Sequence, residues 1–178
     1  DDLPRLKNAE VGNSIKPYRT LVQNSYQALM RQSSEAVTCH EAARLAPINL
    51  QRLVHIPPGG NWTDIPQALL PAGMRRARRS DHTKRYGRVQ PEGLASTILT
   101  KCDPHWGAYF HYNQDRIFTV REAARLQSFP DHYKFLGSRA EQYEQVGNAV
   151  PPLMARAVGE SIRARLIPSQ SVRIRRST

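Results

Sequence analysis

Thirteen prolines are spread along the whole 178-residue chain, and they limit what it can fold into more than any other feature. Each fixes φ and removes a backbone donor, so a helix or interior strand must stop or bend where one falls. They stand at Pro47, Pro57, Pro58, Pro66, Pro71, Pro91, Pro104, Pro130, Pro151 and elsewhere, and no interval between them admits a large uninterrupted sheet. The chain is therefore expected to build short elements joined by many turns. With 39% apolar residues, it is long enough for one ordinary domain, or for a domain plus an arm.

Between the prolines, periodicity places a few elements. "TLVQNSYQALMR" (20–31) sets Leu21, Val22, Tyr26, Leu29 and Met30 on one helical face. "NLQRLVHI" (49–56) reads as a second short helix before Pro57-Pro58. The β-branched "LASTILT" (94–100) and "GAYFHY" (107–112) read as strands. Residues 60–91 show no period and read as an irregular surface segment. Thr119…Glu122 and Ser138…Glu141 each fit a capping box, with a hydroxyl and a carboxylate three residues apart. Pro130 is expected to end the first of these helices and Gly147, in a left-handed conformation, the second. Pro151-Pro152 suit the opening of a third, running to about Leu166 with Leu153, Met154, Ala157, Val158 and Ile162 on its buried face.

The charge is segregated. Eight Lys and Arg against two acids lie between Pro71 and Lys101, and five arginines with no acid lie between Arg163 and Thr178; together they account for the whole net charge of +11. Phosphate binding calls for such clustering, because Lys and Arg release counterions condensed on a nucleic acid. The run "MRRARRSDHTKRYGR" (74–88) is the strongest binding feature. Arginine can read guanine in the major groove, while Ser, Thr and Lys serve phosphates. The tail 168–178 is polar and basic and is expected to be disordered.

Two distant cysteines make no disulfide framework, and Cys39-His40 with Cys102…His105 lack the paired spacing of a zinc site, so no metal is expected. No apolar run approaches membrane-spanning length, and the chain reads as soluble and intracellular, in bacterial cytoplasm or a eukaryotic nucleus. It opens on Asp1-Asp2 without an initiator Met, as a fragment or a trimmed product would.

Two stretches near the end carry more information than composition does. "REAARLQSFPD" (121–131) reads as a helix whose Arg121 and Arg125 pin the fold through buried ion pairs. "QVGNAVPP" (145–152) reads as a joint between helices, with Asn148 placed to meet a polar ligand just before a helix N-terminus. Together, in this order and at this separation, the two resemble the last conserved blocks of the DNA cytosine-5 methyltransferases. "NLQRLVHIPPGGNWTDIP", "KRYGRVQPEGLASTILT" and "QDRIFTVREAARLQSFPD" are similar to that family's target-recognition region, so the resemblance runs from about Cys39 to Ile162.

The resemblance implies a two-lobed enzyme using S-adenosylmethionine. A large lobe, a doubly wound sheet, binds the cofactor and carries a Pro-Cys nucleophile. A small lobe recognises double-stranded DNA from which the target cytosine is flipped. The family's Gly-rich cofactor loop, Pro-Cys dipeptide, Glu-Asn-Val acid and Gln-x-Arg-x-Arg block are absent from this sequence. It is therefore expected to be the C-terminal half, with no catalytic residue of its own. The fold expected is α+β: a small irregular recognition lobe over residues 1–133, a C-terminal helical arm over 134–167 that packs on the missing Rossmann-like lobe, and the tail 168–178. By resemblance, Asn148, Ala149 and Val150 border the cofactor. Thr97, followed by Ile98, meets the DNA backbone near the flipped nucleotide, and Arg85, Arg88, Ser96, Thr100 and Lys101 join it on DNA. The partners expected are duplex DNA, a catalytic lobe from the same or another polypeptide, and a second copy through the exposed helix. Two other readings stay open: a stand-alone regulatory DNA-binding module, and half of a tRNA cytosine-5 methyltransferase.

Overall fold

The computed structural model describes residues 2–12 and 14–166; the basic tail 168–178 lies outside them. The order of regular elements is β1 (Ile15–Pro17), α1 (Ser25–Arg31), β2 (Ala36–Thr38), α2 (Pro47–Leu53), α3 (Val120–Leu126), α4 (Arg139–Asn148) and α5 (Pro152–Leu166). The class is α+β with little sheet, as the prolines require. β1 and β2 pair antiparallel, Lys16 opposite Val37.

The strands expected over 94–100 and 107–112 are not present as ladders. Phe110 alone bridges, to Arg88 on one side and Ile117 on the other. The segment 94–100 is irregular and pairs with no strand. Its backbone is held instead by the Tyr109 hydroxyl, which donates to Thr97 O and accepts from Leu99 N–H, both at 3.1 Å. β-branched residues satisfy an extended backbone, but a ladder needs a neighbour.

Nor is the segment 60–91 only surface. It winds through single 3₁₀ turns at Trp62–Asp64, Gln67–Leu69 and Ala72–Met74 and sends Trp62, Ile65, Met74 and Tyr86 into the core. Each such side chain, fully buried, contributes about 1.5–3 kcal/mol of transfer free energy, which is why the segment keeps its place without a period.

The first helix is shorter than its apolar pattern. The Asn24 side chain accepts from Gln27 N–H and starts α1 at Ser25, leaving Leu21 and Val22 outside and exposed; Gln27 and Met30 are what it buries. α2 opens two residues earlier than expected, with Pro47 in its first turn.

α3 and α4 begin with complete capping boxes, Thr119–Glu122 and Ser138–Glu141. α3 stops before Pro130 is reached. Ser128 enters the left-handed region at φ 62°, its N–H donates to Arg125 O, and Phe129 N–H donates to Ala124 O, a Schellman closure with Ser in the place glycine usually takes.

One core joins Leu45, Leu53, Trp62, Phe110, Phe118, Ala123, Tyr143 and Val146. α4 packs on α3 within it, so no break in the core marks residue 133, and the part that projects is α5. None of its residues is buried. Met154, Val158 and Ile162 are exposed by half or more, so the apolar face read from the sequence is open in this chain.

Beneath the core lies a charged centre. Arg116, fully buried, donates through both terminal nitrogens to Glu122 at 2.7 Å and also bonds Gln114 and Ile117 O. Burial opposes the charge on Glu122, yet the Arg116 guanidinium overrides it and holds the carboxyl down at about 2. Arg121 donates to Thr38 O, Thr38 Oγ1, Pro130 O and Tyr133 O, tying α3 to β2. Arg125 pairs with Asp2 and Asp131 at 2.6 Å. Arg125 thus pins the fold through ion pairs as read from the sequence, whereas Arg121 does so through hydrogen bonds to carbonyls and a hydroxyl and not through an ion pair.

Candidate functional site

The turn between α4 and α5 is held by two consecutive residues just past α3, Gln127 and Ser128. Gln127 Nε2 donates to Val146 O at 2.9 Å, adding a second donor to an α4 carbonyl that also accepts from Ala149 N–H at the helix end. Ser128 Oγ accepts from Leu153 N–H at 3.1 Å, closing a donor of α5's first turn. Leu126 and Gln127 then line a groove of about 440 Å³ with Ser96, Thr97, Ile98, Gly147, Ala149 and Pro151. The left-handed conformation of Ser128 makes the clamp, because it turns the chain so that successive side chains reach two different helices.

Gly147 does not sit where the sequence placed it. It is inside α4, not in a left-handed turn at its end. Its reason is proximity. A Cβ there would fall 2.5 Å from Leu99 C and Thr100 N and 2.6 Å from Leu99 O, all backbone atoms. Only a residue without a side chain lets the helix lie against the segment 94–100.

The structure thus brings Thr97 and the Gly147–Val150 turn to one place. Thr97 is exposed and Ser96 half-buried on the groove wall. Asn148 and Val150 face solvent, and Ala149 is half-buried. Thr100 and Lys101 lie round the edge, lining a separate hollow with Asp103, Tyr143 and Glu144. Cys102 lines it too, but burial pushes its thiol up to about 12, which suits packing and not nucleophilic attack.

The basic residues are placed less uniformly than their run implies. Arg75, Arg76, Arg78 and Arg79 are exposed. Arg85 is half-buried, with its guanidinium over the Trp106 ring at 4.8 Å from the centroid. Arg88 is held inward: it pairs with Asp115 at 2.8 Å, its side chain is 11% exposed, and its Nε is buried without a partner. Its backbone also brackets the Gly59-Gly60 turn, accepting from Gly59 N–H and donating to Gly60 O. Sequence reasoning missed Gln127, Ser128 and Trp106. The first two carry no pattern of their own, and an isolated tryptophan reads as core until its exposure is seen.

At the turn, exposed Asn148 presents an amide able to bond a polar group and exposed Val150 an apolar surface. No group of three or more metal-ligating side chains lies together among the described residues. No described helix is long and apolar enough to cross a membrane.

The model of the family described as C-5 cytosine-specific DNA methylase matches residues 7–164. Among curated proteins, the chain is 34% identical over 188 residues to DNA (cytosine-5)-methyltransferase 2 of Arabidopsis thaliana, covering 96% of this chain and 12% of that protein. It is 37% identical over 134 residues to the type II methylase M.HgiDII of Herpetosiphon aurantiacus, covering 72% of this chain and 38% of that one. The chain thus spans well under half the length of either relative. Among solved structures, an E. coli prophage protein described as a candidate DNA modification methyltransferase superposes with a TM-score of 0.62 at 19% identity, over 93% of this chain and 45% of its own.

Proposed function

The chain belongs to the family of C-5 cytosine-specific DNA methylases, and from that premise we propose that it is the recognition body of such an enzyme and one wall of its cofactor pocket. The observation that carries this reading is the clamp. Gln127, Ser128 and Gly147 fix the Asn148–Val150 turn against the segment bearing Thr97, so a cofactor edge and a DNA edge are rigidly related within one body.

In that reading, Thr97 and Ser96 meet the DNA backbone, with Thr100 and Lys101 beside them. Arg85 and the exposed arginines from Arg75 to Arg79 take phosphates. Arg88, occupied by Asp115, supports the Gly59-Gly60 turn from behind and acts on DNA through position. Asn148, Ala149 and Val150 border S-adenosylmethionine, which when bound supplies the methyl group for C5 of cytosine. The nucleophile and the rest of the pocket belong to a catalytic lobe in the same or a partner polypeptide, and the open face of α5 is where that lobe packs. The long basic run favours duplex DNA over the tRNA reading, because it is long enough to follow a backbone.

The purified chain, given methyl-labelled cofactor and a cytosine-containing duplex, is expected to transfer no label. Adding a separately expressed catalytic lobe of a related enzyme is expected to restore transfer. Cytosine methylation by the chain alone would overturn the division of labour.

A further inference from the structure

We propose that Trp106, with the Arg85 guanidinium laid on its ring, is a stacking platform for a base that has left the duplex stack. This rests on the reading of the chain as a DNA-recognition body. The chain has two tryptophans with opposite fates. Trp62 is 3% exposed, and its indole N–H donates to Asp81 O; Trp106 is 56% exposed. Exposure alone is ordinary for a surface hydrophobic; what sets Trp106 apart is the Arg85 guanidinium over its ring.

The turn that carries the ring is held. The backbone N–H of Trp106 donates to Asp103 O, and that of His105 to Asp103 Oδ1, closing a tight turn. That turn is tied to the basic segment by Tyr86 N–H to Pro104 O at 2.6 Å and Gly87 N–H to Gly107 O at 3.4 Å. Neither glycine admits a side chain: a Cβ on Gly87 would fall 2.4 Å from Ala108 Cβ, and one on Gly107 2.6 Å from the Tyr109 ring. The His105 ring stands edge-on to the indole at 4.8 Å. Arg85 comes from the other side of the junction, and its own carbonyl accepts from Trp62 N–H. The platform is thus assembled before any ligand arrives, and little ordering is left to be done on binding.

The chemistry of the pair selects its ligand. An indole with a guanidinium over part of its face offers the rest of its π surface to a base and the cation to the adjoining phosphate. Bases inside a paired helix offer their edges only, so the platform discriminates in favour of an unpaired one. Tyr109, against which Gly107 packs, is also the residue whose hydroxyl holds Thr97 and Leu99, so the platform is coupled through one ring to the segment read as the DNA edge.

The test compares a fully paired duplex with the same duplex carrying one unpaired base, by fluorescence anisotropy of the labelled DNA and by intrinsic tryptophan emission. The bulged duplex is expected to bind the whole chain on the order of ten-fold more tightly, as stacking of one base requires. It should quench the emission of Trp106, Trp62 being shielded. Trp106→Ala should abolish the preference while changing affinity for the paired duplex by no more than about two-fold, and Trp106→Phe should keep part of it. A preference that survives Trp106→Ala, or equal binding of both duplexes, would overturn the platform and leave the recognition reading standing. If neither duplex binds in a salt-dependent way while circular dichroism shows the chain folded, the recognition reading falls, and the platform with it.

Discussion

At the scale of single residues, Gly147 shows how a sequence signal can be correct in kind and wrong in cause. A glycine before Asn-Ala-Val near a helix end reads as a left-handed cap, because that is the commonest reason for glycine there. Here the helix runs through it, and the backbone of Leu99 and Thr100 occupies the space a side chain would need. Nothing local to the sequence distinguishes the two, since the neighbour lies almost fifty positions away. The substitution Gly147→Ala separates them by sign. In an ordinary helix interior the change stabilises by about 0.5–1 kcal/mol. Against unyielding backbone it is expected to destabilise by about 1–3 kcal/mol, read as a fall in the midpoint of urea unfolding at unchanged slope. A neutral or stabilising result would mean that the segment 94–100 does not lie on α4.

The elements divide by whether their determinants are local. Both capping boxes and the proline start of α5 were legible, because each is completed within four residues. The strands expected over 94–100 and 107–112 were not realised, since extended propensity cannot supply a partner; Tyr109 and α4 take that role. The burial of Trp62, Met74 and Tyr86 was invisible for the complementary reason, a segment without period whose anchors are fixed by remote packing. Ser128 belongs to the same group. It ends α3 in a conformation costing roughly 1–2 kcal/mol for a side-chain-bearing residue, and its hydroxyl holds α5. Ser128→Ala keeps that cost and loses the bond to Leu153 N–H. It is expected to lower stability by about 0.5–1.5 kcal/mol and to speed amide exchange in the first turn of α5 while leaving α3 amides unchanged. Ser128→Gly should show the same α5 exchange with part of the stability recovered. If both variants leave α5 exchange untouched, the hydroxyl is not what fixes the turn.

Among the described residues the molecule combines a main core cluster with a projecting helix; its fold class was legible from prolines and local helix signals, while the buried polar centre around Arg116 and Glu122 was not. That centre makes the body sensitive to acid. Burial drives the His111 ring down to about 4, with Glu122 pulling the other way and Arg116, Arg5 and Arg88 adding to the depression. His40 is likewise lowered by burial, its Nε2–H donating to Pro4 O and its Nδ1 accepting from Thr119 Oγ1. As pH falls from about 6.5 to about 4, the unfolded chain therefore takes up protons that the folded chain refuses, and stability declines. For His111 alone the full span is on the order of 3 kcal/mol. Glu122 acts in the next window: its folded carboxyl stays ionised down to about 2, so its contribution, present above the ordinary value of 4.5, is lost between those limits. The two windows adjoin, and unfolding free energy should fall continuously from neutral pH into acid without a plateau. His111→Asn, whose side-chain oxygen can still accept from Asn113 N–H, is expected to flatten the decline between pH 6.5 and 4 and leave the lower window intact. Urea midpoints measured across that range read both slopes directly, and a wild-type curve flat down to pH 4.5 would show that the ring is not shielded from protonation by the fold.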